Sequence, residues 1–177
     1  MRFFSRAWAS HSDNRHVESV VADYEAHLAS LQGSIGSKIR VWSNGRSRSL
    51  HDGLLDHLLI ITSTQTLCLS LIIGDNQVGY AELQISYRGA EIAHPDLKLL
   101  RAAFQTRNVQ ILYDEFDIDP DRSVSHFCHR LLLWPEEFGE IVIRFDDLDV
   151  SETSISQRGY ATFGETLEIE MYPSGTE

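Results

Sequence analysis

The chain has 177 residues, 42% of them hydrophobic and 23% charged, with a formal net charge of −11. A chain of this length buries a core without covalent staples, and its two cysteines, Cys68 and Cys128, do not make a disulfide framework. Residues 1–90 hold 8 acidic and 8 basic side chains and residues 91–177 hold 18 and 7, so the negative field lies in the second half and disfavours nucleic acid or anionic membrane as a partner.

The N-terminal stretch MRFFSRAWAS lacks the uninterrupted apolar core of a signal peptide. The first strong period follows it. Val17, Val20, Val21, Tyr24, Leu28 and Leu31 fall on one stripe at helical spacing. Ser12 or Asp13 is placed to cap this helix and Gly33 to end it. The pattern then shifts to strands. KIRVW leads through Asn44-Gly45 into RSRSL, a hairpin signature. LLDHLLIIT and TLCLSLII form the next pair. Ser63 to Thr66 break this greasy run, and its pieces are too short to cross a bilayer as helices. His51-Asp52-Gly53 reads as a turn into the first of these strands, with Gly53 suited to positive φ.

YAELQISY is a further strand, and HPDLKLLRAAF a short helix with Pro95 in its first turn. VQILYDEF, SHFCHRLLLW, EIVIRF and TLEIEMY complete the set, with DDLDVSETSISQRG as a polar, mobile connection. The expected fold is α+β: a mostly antiparallel sheet of seven to eight strands, an amphipathic N-terminal helix packed on it, and a short second helix. Most gaps between strands are too short for parallel crossovers. Residues 1–172 are expected to form a single domain and 173–177 a flexible tail.

The chemistry-bearing stretch is YDEFDIDPDRSVSHFCHRLLLWPEE, Tyr113 to Glu137. DIDPD imitates the opening of a calcium loop, but Arg122 and Cys128 stand where that loop needs glycine and glutamate. His126, Cys128 and His129 are zinc-type ligands, yet on a strand His126 and Cys128 share one face and His129 takes the other. A fourth ligand would have to come from a distant segment, such as His51 or His57. Phe127, His129, Leu131 and Leu133 instead read as one buried face of a strand covered on both sides. His51-Asp52 has the residue types of a metal phosphohydrolase pair, but in a strand context rather than a helical one. There is no nucleophile elbow, no dinucleotide fingerprint and no phosphate loop. No cofactor is expected.

Between Tyr113 and Glu152 stand twelve acidic and three basic residues. They cluster at strand ends, interleaved with aromatics. The expected partner-binding residues are therefore Asp114, Glu115, Asp117, Asp119, Asp121, Glu136, Glu137, Asp146, Asp147 and Asp149. Such a surface attracts a cationic protein rapidly.

The succession LHDGLLDHLLI, LQISYRGAEI, ILYDEFDI and EIVIRFDDLDV, within about residues 38–150, resembles in its layout the small acidic bacterial immunity proteins of contact-dependent inhibition and related polymorphic-toxin systems. The resemblance implies a cytoplasmic, non-enzymatic antitoxin that binds a basic toxin domain, often a nuclease, and blocks its active site. It transfers no residue roles. The alternatives are a small metal-dependent hydrolase using His51, His57, His126 or His129 with a nearby Asp, and a domain that self-associates through an unpaired edge strand. The oligomeric state is not fixed by the sequence.

Overall fold

A computed structural model describes residues 1–10, 14–31, 50–118 and 127–168. The helix caps at Ser12, Asp13 and Gly33, the Asn44-Gly45 hairpin, Asp119, Asp121, His126 and the 173–177 tail lie outside the described residues.

The elements are α1 (Arg6–Ala9), α2 (Asn14–Ser30), β1 (Gly53–Ile61), β2 (Thr66–Asp75), β3 (Gly79–Arg88), β4 (Glu91–Ile92), α3 (His94–Gln105), β5 (Gln110–Ile118), β6 (Phe127–Trp134), β7 (Glu140–Phe145), β8 (Asp147–Ile155) and β9 (Gly164–Glu168), with a 3₁₀ turn at Glu136–Phe138. The fold is α+β, as expected, with nine strands among the described residues. The sheet runs β4-β7-β6-β5-β1-β2-β3-β8, with β9 added parallel to β1 and every other pair antiparallel. No described helix is long and apolar enough to cross a membrane.

The segment 147–155 corrects the sequence expectation of a mobile connection. It is a regular strand, pairing residue for residue with Tyr80 to Arg88. Leu148 points inward and is fully buried, and Val150 packs partly against the core. That alternation of apolar and polar residues was present in the sequence, but serine, threonine and acids masked it.

Two strand irregularities bend the sheet. β1 shifts register between Leu55 and His57, and β5 between Ile111 and Tyr113. A bulge of this kind kinks its strand and sharpens the local twist. Before its bulge β1 pairs with β5; after it β1 pairs with β9. β7 and β8 lie toward opposite ends of the strand order, yet only Asp146 separates them in the chain. The sheet must therefore curl until its two ends meet, and the Asp146 N–H donates to the Arg88 carbonyl at 2.9 Å.

The curled sheet encloses one core. Tyr87, Phe104 and Phe145 are its largest fully buried side chains. α3 contributes Leu100, Ala103 and Phe104. Leu28 and Leu31 from the end of α2 join it, whereas Val21 is exposed. The apolar stripe of α2 is thus buried only over its second half. At the His51-Asp52-Gly53 turn, positive φ falls on Asp52 (61°) rather than on Gly53. Gly53 serves a different need, because a Cβ there would stand 2.8 Å from the Leu50 carbonyl oxygen.

Candidate functional site

Alternation along β5 splits its acids between the two faces of the sheet. Asp114 turns toward the core side, where its Oδ2 lies 3.1 Å from His129 Nε2. His129 Nδ1 lies 2.7 Å from Tyr87 Oη, and the ring stacks on Phe116 at 3.9 Å. Both His129 and Tyr87 have no solvent exposure, while Asp114 keeps 21%. Burial, and then the Asp114 charge, push the Tyr87 hydroxyl well above the ordinary tyrosine range.

Glu115 corrects the expectation of an open acidic strand. It is 2% exposed. Its carboxylate accepts the backbone N–H groups of Arg2 at 2.8 Å, Phe3 at 2.6 Å and Phe4 at 2.5 Å. A buried carboxylate needs such donors, and three charge-assisted bonds fix the path of the N-terminal segment. Phe4 then packs on Tyr24, Trp8 and Tyr113. Tyr24 Oη accepts the Phe116 N–H at 2.8 Å. Asp117 lies 3.1 Å from His27 on α2. The chain's own N-terminus therefore covers the face of β5 that its acids make attractive to cations. Neither Asp114 nor Glu115 presents its charge on an open surface.

The 3₁₀ turn places Glu136 and Glu137 in solvent at the β6–β7 connection. Glu136 is 82% exposed and lies 3.9 Å from Arg6, a separation at which an exposed pair contributes little. Beside it, Glu140 pairs with the N-terminal ammonium and lies 3.7 Å from Arg130.

The remaining acids gather at the β7–β8 corner, with β7 (roughly 20 Å of strand) between them and the 3₁₀ turn. Asp146 is exposed, and Asp147 and Asp149 are about half exposed at 40% and 52%. Arg88 on β3 reaches both Asp147 and Asp149. Its hydrogen bond to Asp147 and that residue's charge raise the guanidinium above its ordinary range. Asp147 Oδ1 also accepts the Leu148 N–H at 2.8 Å. Glu152 stands exposed farther along β8. Gly89 (φ +62°) makes this packing possible, because a Cβ at that position would fall on the Asp146 carboxylate.

The ten sequence-predicted residues thus do not form one array. Asp146, Asp147 and Asp149 come together. Glu136 and Glu137 form a second exposed spot. Asp114 is engaged by His129 on the core side, Glu115 and Asp117 by the N-terminal elements, and Asp119 and Asp121 fall outside the described residues. Arg88 belongs to the corner and was not singled out, since nothing in the sequence pairs β3 with β8.

The histidines are held apart by their partners. His51 Nδ1 lies 2.5 Å from the Leu112 carbonyl, His57 bonds the Thr166 hydroxyl at 2.9 Å, and His129 is enclosed as described. Among the described residues no three His, Cys, Asp or Glu side chains group as a metal would require. Asp56, which the sequence did not flag, is fully buried at the β1 bulge. It accepts N–H groups from Ala161 (2.9 Å), Thr162 (3.0 Å) and Phe163 (3.2 Å). It anchors the loop that leads into β9, which makes it a structural carboxylate. Compared with known proteins, the chain matches no family model, no curated protein and no solved structure.

Proposed function

We infer that this chain is a non-enzymatic inhibitory binding protein, a cytoplasmic antitoxin of the immunity-protein kind, that docks a basic toxin domain through the β7–β8 corner. The single observation that carries the reading is the meeting of the exposed or half-exposed carboxylates of Asp146, Asp147 and Asp149 at one corner. A rigid strand presents these charges, so little ordering entropy is lost when a partner binds. Their joint field speeds encounter with a cationic surface. The closed surroundings of His129 and the dispersed histidines give no matching support to the hydrolase alternative.

The test is whether the gene adjacent to this chain's encodes a secreted protein with a toxic C-terminal domain, and, for that domain, binding by this chain and growth protection on co-expression. The triple variant Asp146→Lys/Asp147→Lys/Asp149→Lys is expected to lose at least tenfold in affinity, about 1.4 kcal/mol, chiefly through a slower, less salt-dependent on-rate. Glu136→Lys/Glu137→Lys is expected to stay within a few-fold of the parent. Unchanged affinity in the triple variant overturns the assignment of this corner.

A further inference from the structure

Alternation along β5 and β6 sends Ile111 and Leu133 into the core. Gln110 and Trp134, which face each other across the same pair, then lie on the outer side of the sheet. There Asp52, Gln110, Leu112 and Trp134 line a cavity of about 360 Å³. The Trp134 side chain is 49% exposed and that of Asp52 62%. The backbone of Asp52 is fixed: its N–H donates to the Ile111 carbonyl at 2.9 Å, its carbonyl accepts from Arg158, and the following N–H, of Gly53, donates to the Leu50 carbonyl at 2.8 Å. Its carboxylate takes no part in that network. His51 Nε2 stands 3.6 Å from it, beyond a hydrogen bond, and the same ring is turned through Nδ1 to the Leu112 carbonyl. Among the described residues no hydrogen bond reaches the Gln110 amide and no ring stacks on the Trp134 indole. A half-exposed tryptophan alone needs no explanation. This one shares a cavity with an unbonded carboxylate and an unbonded amide.

We propose that this cavity is a receptor for a guanidinium group, stacked flat on the Trp134 indole and hydrogen-bonded at its rim to the Asp52 carboxylate and the Gln110 amide oxygen. It lies at the 3₁₀-turn end of β6, apart from the β7–β8 corner, and does not depend on the corner's role. Tryptophan offers the best cation–π face among side chains, and a guanidinium is the cation found over it more often than an ammonium. The group is planar, always charged and carries N–H donors around its rim, so it meets the ring face and the carboxylate together. An ionised carboxylate only accepts hydrogen bonds and therefore selects a donor. An anionic ligand is repelled by Asp52 and by the exposed Glu136 and Glu137 in the turn that follows Trp134. A compact, strongly hydrated ammonium reaches the carboxylate but covers the ring poorly. The fixed Asp52 backbone and the two paired strands hold the walls in place, so little order is lost on binding. A free small molecule or an arginine of a protein brings the same group to the site.

The test titrates the full chain with N-acetyl-arginine amide and follows the Trp134 indole N–H in a two-dimensional NMR spectrum, that signal being assigned by its loss in Trp134→Phe. The lysine and citrulline analogues are the comparators. The arginine compound is expected to shift the signal saturably, the lysine compound to bind at least threefold more weakly, and the uncharged citrulline compound not to saturate. Asp52→Asn keeps the shape of the side chain and its tolerance of positive φ, and is expected to weaken the arginine compound at least threefold. Trp134→Ala is expected to abolish saturable binding, followed at the Gln110 side-chain amide. Both variants alter exposed side chains, and an otherwise unchanged spectrum checks that they fold. A glycine-flanked arginine pentapeptide separates the two sources: tighter binding than the amide assigns an arginine of a protein, and binding no tighter assigns a free guanidinium compound. No saturable shift at Trp134 with either arginine compound overturns the site. Equal binding of the citrulline compound, or an undiminished affinity in Asp52→Asn, overturns guanidinium as its ligand.

Discussion

His129 on β6 faces Asp114 on β5 at 3.1 Å and closes on Tyr87 of β3 at 2.7 Å. β3 and β6 are not neighbours in the sheet, so this chain ties together two parts that only the curl brings near. With a proton on Nε2, the ring donates to the carboxylate and can accept the tyrosine hydroxyl at Nδ1. Tyr87→Phe leaves a buried ring nitrogen without its donor and is expected to cost about 1–3 kcal/mol in urea unfolding. Tyr80→Phe, on the outer face of the same strand, is expected to stay within about 0.5 kcal/mol.

Alkaline stability follows from Tyr24 and Tyr87. Burial, followed by the Asp114 charge, raises both above the ordinary range. The folded state then holds these protons more tightly than the unfolded chain, whose tyrosines ionise near about pH 10. Stability is therefore fully present below about pH 10 and falls as pH rises beyond it. Near-ultraviolet tyrosinate absorbance should show these two ionising only as the protein unfolds. The Tyr24→Phe and Tyr87→Phe variants should each lose less of their own neutral-pH stability on the alkaline side.

Glu115 holds down the N-terminal segment through Arg2, Phe3 and Phe4. Glu115→Gln keeps the shape and removes the charge from these bonds. The expected loss is about 2 kcal/mol, with faster amide exchange and earlier proteolysis confined first to residues 1–10. A variant as well protected as the parent would show that the aromatic packing of Phe4 suffices alone.

Asp56→Ala leaves the N–H groups of Ala161, Thr162 and Phe163 without their carboxylate. One orphaned buried donor costs about 1–3 kcal/mol, so the expected effect is at least that, measured by urea unfolding, with early loss of β9 exchange protection. Asp56→Asn, which keeps one acceptor oxygen, should fall between.

Gly89→Ala forces a side chain into a left-handed φ and onto the Asp146 carboxylate. The backbone term alone is about 1–2 kcal/mol. Because Asp146 must move, the substitution should also weaken binding of the proposed cationic partner more than its stability cost explains, as read by binding at a temperature where the variant is fully folded.

Much of the fold was legible from period and punctuation. β1, β2, β3, β5, β6 and β7 announce themselves as apolar or alternating runs, and α3 by Pro95 and its Leu97–Leu100–Phe104 face. Local patterning carries that information because burial repeats with the geometry of each element. β8 was missed because its pairing with β3 is a contact across 59 to 75 residues, and its own composition reads as a loop.

The sequence by itself determined the fold class, the −11 charge and its confinement to the second half of the chain. Only the tertiary structure decided which carboxylates remain outward. The N-terminal ammonium and Arg2, Phe3 and Phe4 cover the β5–β7 acids they meet, while the curl of the sheet gathers Asp146, Asp147 and Asp149 around Arg88. The physical reason is that charge adds along the chain whatever its arrangement, whereas an electrostatic surface depends on distances and burial. Those are set by long-range pairing between strands that no local pattern records.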